Sequence, residues 1–234
     1  MFIVEENLYG ATKEDFNNLF NEPDPWQLNR KVEQLRYRIS IDYIKKINKN
    51  KSTEILELGC AEGNFTEYLS REKYRIKSID ISENAIKRAI KKNLANTGFV
   101  CSEMIDYVKN NSLKKFDNIL LLESLCYLKN EEKNILLKLI ADKTGDDIKV
   151  FFSLPVMKNN EMFLTKDKYI ELFSKNGFLL SKKVNPAVIT LKGKSGILSA
   201  FIPFYFLQKL FIKMHKLFLP FRINQMIFMF EKSK

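Results

Sequence analysis

From Thr53 to Phe178 the chain alternates between short apolar runs with strand character and segments with helical periodicity. The strand-like runs are TEILEL (53–58), YRIKSID (74–80), TGFVCS (97–102), FDNILLLE (116–123) and DIKVFFSLPV (147–156). Between them lie helical segments. One spans about 62–71; a second, ENAIKRAIKKN, is capped by Ser82 and sets Ala85, Ile86, Ala89 and Ile90 on one face. EMIDYVKNN, EEKNILLKLIADK and KDKYIELFSKNGF follow, the last stopped at Asn176-Gly177. Strand and helix in strict alternation predict a mostly parallel α/β sheet with helices on both faces. A helix over QLNRKVEQLRYRISIDYIKKIN, introduced by the turn NEPDPW, precedes the alternation. After it come a sixth strand, LLSKKVNPAVITL (179–191), a long apolar stretch, and the strand-like run QMIFMFEKSK. These last two strands are expected to pair antiparallel at one edge of the sheet.

At 234 residues, one domain is the default. The 45% hydrophobic and 29% charged composition is that of a globular protein, and MFIVEENLYG lacks the marks of a signal peptide, so a cytoplasmic location is expected. Cys60, Cys101 and Cys126 show no CxxC spacing and read as free thiols, while His215 has no companion ligand; no metal site is expected. The net charge of +11 is unevenly spread, since the residues from Lys182 onward hold ten Lys and Arg against one acid, Glu231. Those basic residues are interleaved with apolar runs and no RNA-binding motif accompanies them, which disfavours nucleic acid as a partner.

The stretch ILELGCAEGNF (55–65) places a Gly59-to-Gly63 loop after the first strand, and Asp80 closes the second strand 21 residues beyond Gly59. In open α/β sheets both positions face one pocket beyond the carboxyl ends of the strands. The spacing suits a dinucleotide, whose ribose an acid such as Asp80 would bind. Glu57 argues against that ligand, because a carboxylate beside the loop repels a pyrophosphate. A ligand with a cationic head reverses the sign. S-adenosylmethionine (SAM) carries a sulfonium and an ammonium, and its ribose offers Asp80 two hydroxyls.

ILELGCAEGNFTEYL resembles motif I of class I SAM-dependent methyltransferases, SIDIS their second-strand acid motif, and FDNILLLESLCYL their fourth-strand motif. More narrowly, DPW followed by EQLRYRISI, LELGCAEG and ESLCYL resembles the NodS-type N-methyltransferases and related methyltransferases of sugars and natural products. The resemblance implies a Rossmann-like seven-stranded sheet with an antiparallel terminal strand. It implies SAM as cofactor, S-adenosylhomocysteine (SAH) as product, and no metal. Carried over by position, Gly59, Cys60, Ala61 and Gly63 approach the methionine moiety, which Glu57 positions. Asp80 binds the ribose, Ile81 packs on the adenine, and Glu103 with Met104 lies near the adenine amine, Asp106 being the alternative. Ala61 stands where the family has a glycine, and a negative φ is expected there.

Glu123, at the end of the fourth strand, is the first candidate for a general base or for binding an amine acceptor, with Tyr127 orienting it. A turn of helix between them would point both the same way. Trp26, Tyr37 and Tyr43 are candidates for an acceptor wall, or else core aromatics. Residues 1–50 are expected to form an N-terminal helical cap, 51–191 the SAM-binding core, 192–222 a basic apolar helical insertion, and 223–234 the terminal strand. Within the insertion, 195–221 has an apolar stripe opposed by Lys209, Lys213 and Lys216, with too short an uncharged run to span a bilayer. A lid, contact with the inner membrane surface, and a homodimer interface all fit it. The reading is methyl transfer to an N or O atom of a small-molecule acceptor such as a sugar or biosynthetic intermediate. The rivals are an RNA or protein methyltransferase and a catalytically silent SAM-binding scaffold subunit.

Overall fold

The central strands are apolar on both sides, which commits them to a sheet covered on both faces. In the computed structural model, which describes residues 8–48, 53–155, 162–184, 206–208, 210 and 225–233, that sheet has seven strands. They are β1 (Glu54–Leu58), β2 (Arg75–Asp80), β3 (Thr97–Cys101), β4 (Asn118–Leu122), β5 (Lys149–Pro155), β6 (Phe178–Val184) and β7 (Gln225–Lys232). Their order is β3-β2-β1-β4-β5-β7-β6. The first five run parallel, and β7 is inserted antiparallel between β5 and β6. The expected antiparallel terminal pair is present; residues 185–191 of the longer sixth strand lie outside the described residues. From β1 the chain order runs to β2 on one side and β4 on the other, so a crevice opens at their carboxyl ends.

Among the described residues the helices α1 (Lys13–Leu19), α2 (Lys31–Ile47), α3 (Asn64–Arg71), α4 (Glu83–Lys91), α5 (Met104–Asn110), α6 (Asn130–Lys143) and α7 (Lys166–Lys175) accompany the sheet. Alternation along the strands divides the core in two. Ile55, Leu120, Phe151, Ile227 and Met229 pack against Ile41 and Ile44 of α2 and Phe65 and Leu69 of α3. Leu56, Ile119, Val150, Phe152, Phe228 and Phe230 pack against α5, α6 and α7, where the rings of Phe173 and Phe230 stack 3.9 Å apart. Ser82 caps α4 as expected, its hydroxyl accepting from Ala85 N.

Helix α1 was not expected from the sequence, although its start is marked. Thr12 and Asp15 form a reciprocal capping box, the T-x-x-D of TKED. The insertion 192–222 lies outside the described residues apart from 206–208 and 210, which are helical. Among the described residues no helix is long and apolar enough to cross a membrane, and no group of His, Cys, Asp and Glu is arranged to hold a metal.

Candidate active site

The glycine loop is hooked onto the end of β2. Gly59 N and Cys60 N both donate to Ile79 O, at 2.8 and 3.0 Å, Gly63 N donates to Cys60 O, and Ala61 N donates to Asp80 Oδ2 at 2.7 Å. These four amides are spent within the protein and are not available to a phosphate. At Gly59 φ is +84°, and a Cβ there would meet Ser124 Cβ at 2.4 Å and Met104 Cε at 3.0 Å. Only glycine fits beneath the β4 loop and Met104.

Ala61 departs from expectation. Its φ is +48°, in the left-handed region, where a negative value was expected. The cost of a Cβ there, of order 1–2 kcal/mol, is offset by the bond from Ala61 N to the Asp80 carboxylate, which fixes the peptide in place.

Asp80 is 8% exposed; its second oxygen accepts from Ser82 N at 2.9 Å. Burial pushes its pKa up to about 6 against the pull of these backbone donors. Glu57 is also buried, but it faces inward. Thr66 Oγ1 and Ser78 Oγ donate to its Oε2 at 2.6 and 2.8 Å, and burial raises its pKa to about 7. It ties α3 to β1 and β2 behind the loop, so it shapes the loop from below and presents no carboxylate oxygen Oε2 free for direct contact. Cys60 is buried beside it, with its thiol pushed well up by burial.

Glu123 follows β4 with φ +59°, a strained backbone for a side chain of this size. Its carboxylate is 3.4 Å from Arg36 Nη1, and the same guanidinium donates through Nε to Glu33 Oε2 at 2.6 Å. Burial raises the Glu123 pKa, while Arg36 opposes the rise. The link to Tyr127 is a 3-10 turn, Leu125–Tyr127, entered through the positive φ of Glu123, so the helical spacing expected between them does not apply. Tyr127 nevertheless belongs to this pocket. Its hydroxyl is held well above its usual pKa by burial, with the thiol of Cys126 and the carboxylates of Glu123 and Asp80 adding to the effect, and it therefore stays protonated.

Phe16 meets the Tyr127 ring edge-on at 5.4 Å and the Trp26 ring lies 5.8 Å from it. Tyr37 and Tyr43 do not join them. Tyr37 is buried against Phe65 and Tyr68, and Tyr43 against Phe151, in the core beneath α2. Helical periodicity assigns them to the packed face of α2, and that face won. Ile81 is half-buried at the mouth of β2. Glu103 is the exposed residue preceding α5, with Met104 above Gly59, while Asp106 is exposed in the first turn of that helix.

The N-terminal segment lies over this crevice. Asn17 Oδ1 accepts from Ser82 Oγ and Glu83 N, and Asn84 Nδ2 donates to Asn17 O. Arg88 Nη1 donates to Glu62 Oε1 at 2.8 Å, which also accepts from Asp24 N, and Gly10 N donates to Tyr127 O at 2.7 Å. Residues 8–30 thus cap the carboxyl ends of β2 and β4. Glu33, Arg36, Asn17 and Phe16 were missed from the sequence. The first two had a signal: they occupy the start of the stripe Glu33, Arg36, Tyr37, Ser40, Ile41, Ile44, and charges on the buried face of a helix need a partner across the interface.

A buried acid at the end of β2, a partly exposed acid after β4, a loop with four of its amides paired, and the rings of Phe16, Trp26 and Tyr127 lie together at the carboxyl ends of the strands. The fold is that of the class I methyltransferases. The N-methyltransferase NodS from Bradyrhizobium japonicum WM9, solved with S-adenosyl-L-homocysteine, superposes with a TM-score of 0.67 at 16% identity, over 98% of this chain and 100% of that one. The 1,6-didemethyltoxoflavin-N1-methyltransferase of Burkholderia thailandensis gives 0.66 at 12% identity, over 95% and 87%. Magnesium protoporphyrin IX methyltransferase from Synechocystis PCC 6803 gives 0.63 at 14%, over 94% and 97%. Among curated proteins none matches the chain significantly in sequence. The sequence profile of nodulation protein S matches residues 12–154, and the chain belongs to the NodS family.

Proposed function

We propose that the protein is a SAM-dependent methyltransferase that methylates a nitrogen atom of a small-molecule biosynthetic intermediate, an amino sugar being the first to test. The observation that carries this reading is the geometry at the end of β2. Asp80 is buried, accepts two backbone N–H bonds, and is set beside a loop whose Gly59, Cys60, Ala61 and Gly63 amides are already paired. When bound, SAM supplies an electrophilic methyl group. The chain's own residues bind and align. Asp80 holds the ribose hydroxyls, Ile81 flanks the adenine with Met104 and Glu103 on its far side, and the Gly59–Gly63 backbone borders the methionine moiety.

Methyl transfer is an in-line displacement, so alignment of the acceptor is the main task of the protein. Trp26 and Tyr127 form the acceptor wall, with the protonated Tyr127 hydroxyl as donor. Glu123 accepts from the acceptor N–H and takes the proton that the nitrogen loses; its raised pKa makes it a stronger base than a surface carboxylate. Nitrogen is favoured over oxygen because a carboxylate beside an aromatic wall suits an amine. The N-methyltransferases among the structural relatives are consistent with it.

Calorimetry with SAM tests the cofactor assignment. Asp80→Ala should weaken SAM binding by about tenfold or more, the worth of a pair of charge-assisted hydrogen bonds. Unchanged affinity would refute the placement of the ribose. With an acceptor found by screening amino sugars and amines, Glu123→Gln should lower kcat by about 100-fold, and equal turnover removes Glu123 as the base.

A further inference from the structure

Glu33 and Glu123 meet the same guanidinium at different nitrogens, Nε and Nη1. Glu33 is 4% exposed and Arg36 7%, and among the described residues no second cation stands within ion-pair distance of either acid. Two carboxylates around one guanidinium leave one negative charge in excess. The Glu123 side chain is 25% exposed, so the excess is not sealed in, and of the two acids Glu123 is the one that can meet a cation from solution. The place of this excess is fixed by β4. Glu123 is followed by Ser124, whose hydroxyl donates to Leu58 O at 2.7 Å and whose Cβ fills the space that a side chain on Gly59 would need. The triad therefore borders the start of the glycine loop, where the methionine end of the cofactor is assigned. Arg36 also lies over the Tyr37 ring, 4.8 Å from the centroid.

We infer that Glu33, acting through Arg36 and Glu123, is a specificity residue that makes the protein favour the charged methyl donor over its spent product. This rests on the cofactor assignment made above. SAM and SAH differ by one methyl group and by the positive charge on sulfur. A pocket that merely fits the adenosine and the amino acid binds both alike. A surplus negative charge acts on the difference alone, as a discrimination term that favours the donor and speeds loss of the product. Glu33 touches neither ligand in this assignment; it sets the net charge that the donor meets.

The test is calorimetric binding of SAM, SAH and a donor analogue with an ammonium-bearing carbon in place of the sulfonium, to wild type and variants. Glu33→Gln should weaken SAM by about tenfold and leave SAH within about twofold. The ammonium analogue should follow SAM, and Glu33→Asp should keep the wild-type ratio. Glu123→Gln removes the same charge from the other end and should shift the ratio in the same direction, which provides the test if Glu33→Gln fails to fold. Equal weakening of SAM and SAH would reduce Glu33 to a structural role and overturn the inference, as would no change in either. Wild type that binds neither ligand overturns the cofactor assignment itself. Wild type that binds both, with a ratio indifferent to Glu33 and Glu123, overturns only this inference.

Discussion

Glu57 and Asp80 are buried acids next to the glycine loop. The Glu57 carboxylate lies beneath the loop, bonded by Thr66 and Ser78, and burial raises its pKa to about 7; that of Asp80 is raised to about 6. Both values exceed those of the unfolded chain, so the folded protein holds more protons between them. The stability contributed by the protonated forms is fully present below the unfolded values and is lost as pH rises through about 6 to 7. The ligand-free protein should therefore melt at lower temperature at pH 8 than at pH 5. Glu57→Gln, which removes the more strongly shifted titration, should shrink that difference by a few degrees, roughly 5 °C. A melting profile with the same slope in the variant would show that Glu57 does not titrate in this range. From the sequence, Glu57 and Asp80 were legible as site acids because their spacing around two glycines leaves few alternatives. The inward aim of Glu57 was not, because the partners that turn it, Thr66 and Ser78, are 9 and 21 residues away and carry no signal of their own. Nor was the left-handed Ala61, since the bond that offsets its strain comes from another strand.

At the scale of elements, the strands and most helices were legible because hydrophobic period and caps agree: Ser82 and the Asn176-Gly177 stop stand where the helices begin or end. The 3-10 turn after β4 was not, because its entry depends on a single positive φ at Glu123. Helix α1 has only 7 residues, none of them buried, and is held in place by polar contacts to α4. Such a short helix is not stable alone. Asn17→Ala removes the acceptor shared by Ser82 and Glu83. It should speed amide exchange across residues 12–30 by about tenfold while leaving the melting temperature within about 2 °C, since only local opening is changed. Exchange that stays at the wild-type rate would place the latch elsewhere, with Arg88 and Glu62 as the next pair to break.

For the molecule as a whole, β7 is decisive. It lies between β5 and β6, and Ile227, Phe228, Met229 and Phe230 are each at most 2% exposed. Burying four such side chains contributes roughly 6–12 kcal/mol, comparable to the roughly 5–15 kcal/mol total stability of a domain. Removing residues 225–234 should therefore leave the chain unfolded, with no cooperative melting transition and no SAM binding; a folded, SAM-binding truncation would mean that β5 and β6 can close on each other. The glycine loop has a consequence at this scale too. Adenosine is the handle on ATP as well as on SAM, and a cell holds ATP in large excess. The amides of Gly59, Cys60, Ala61 and Gly63 are already committed to neighbouring carbonyl and carboxylate oxygens, so these four add nothing to the binding of a triphosphate.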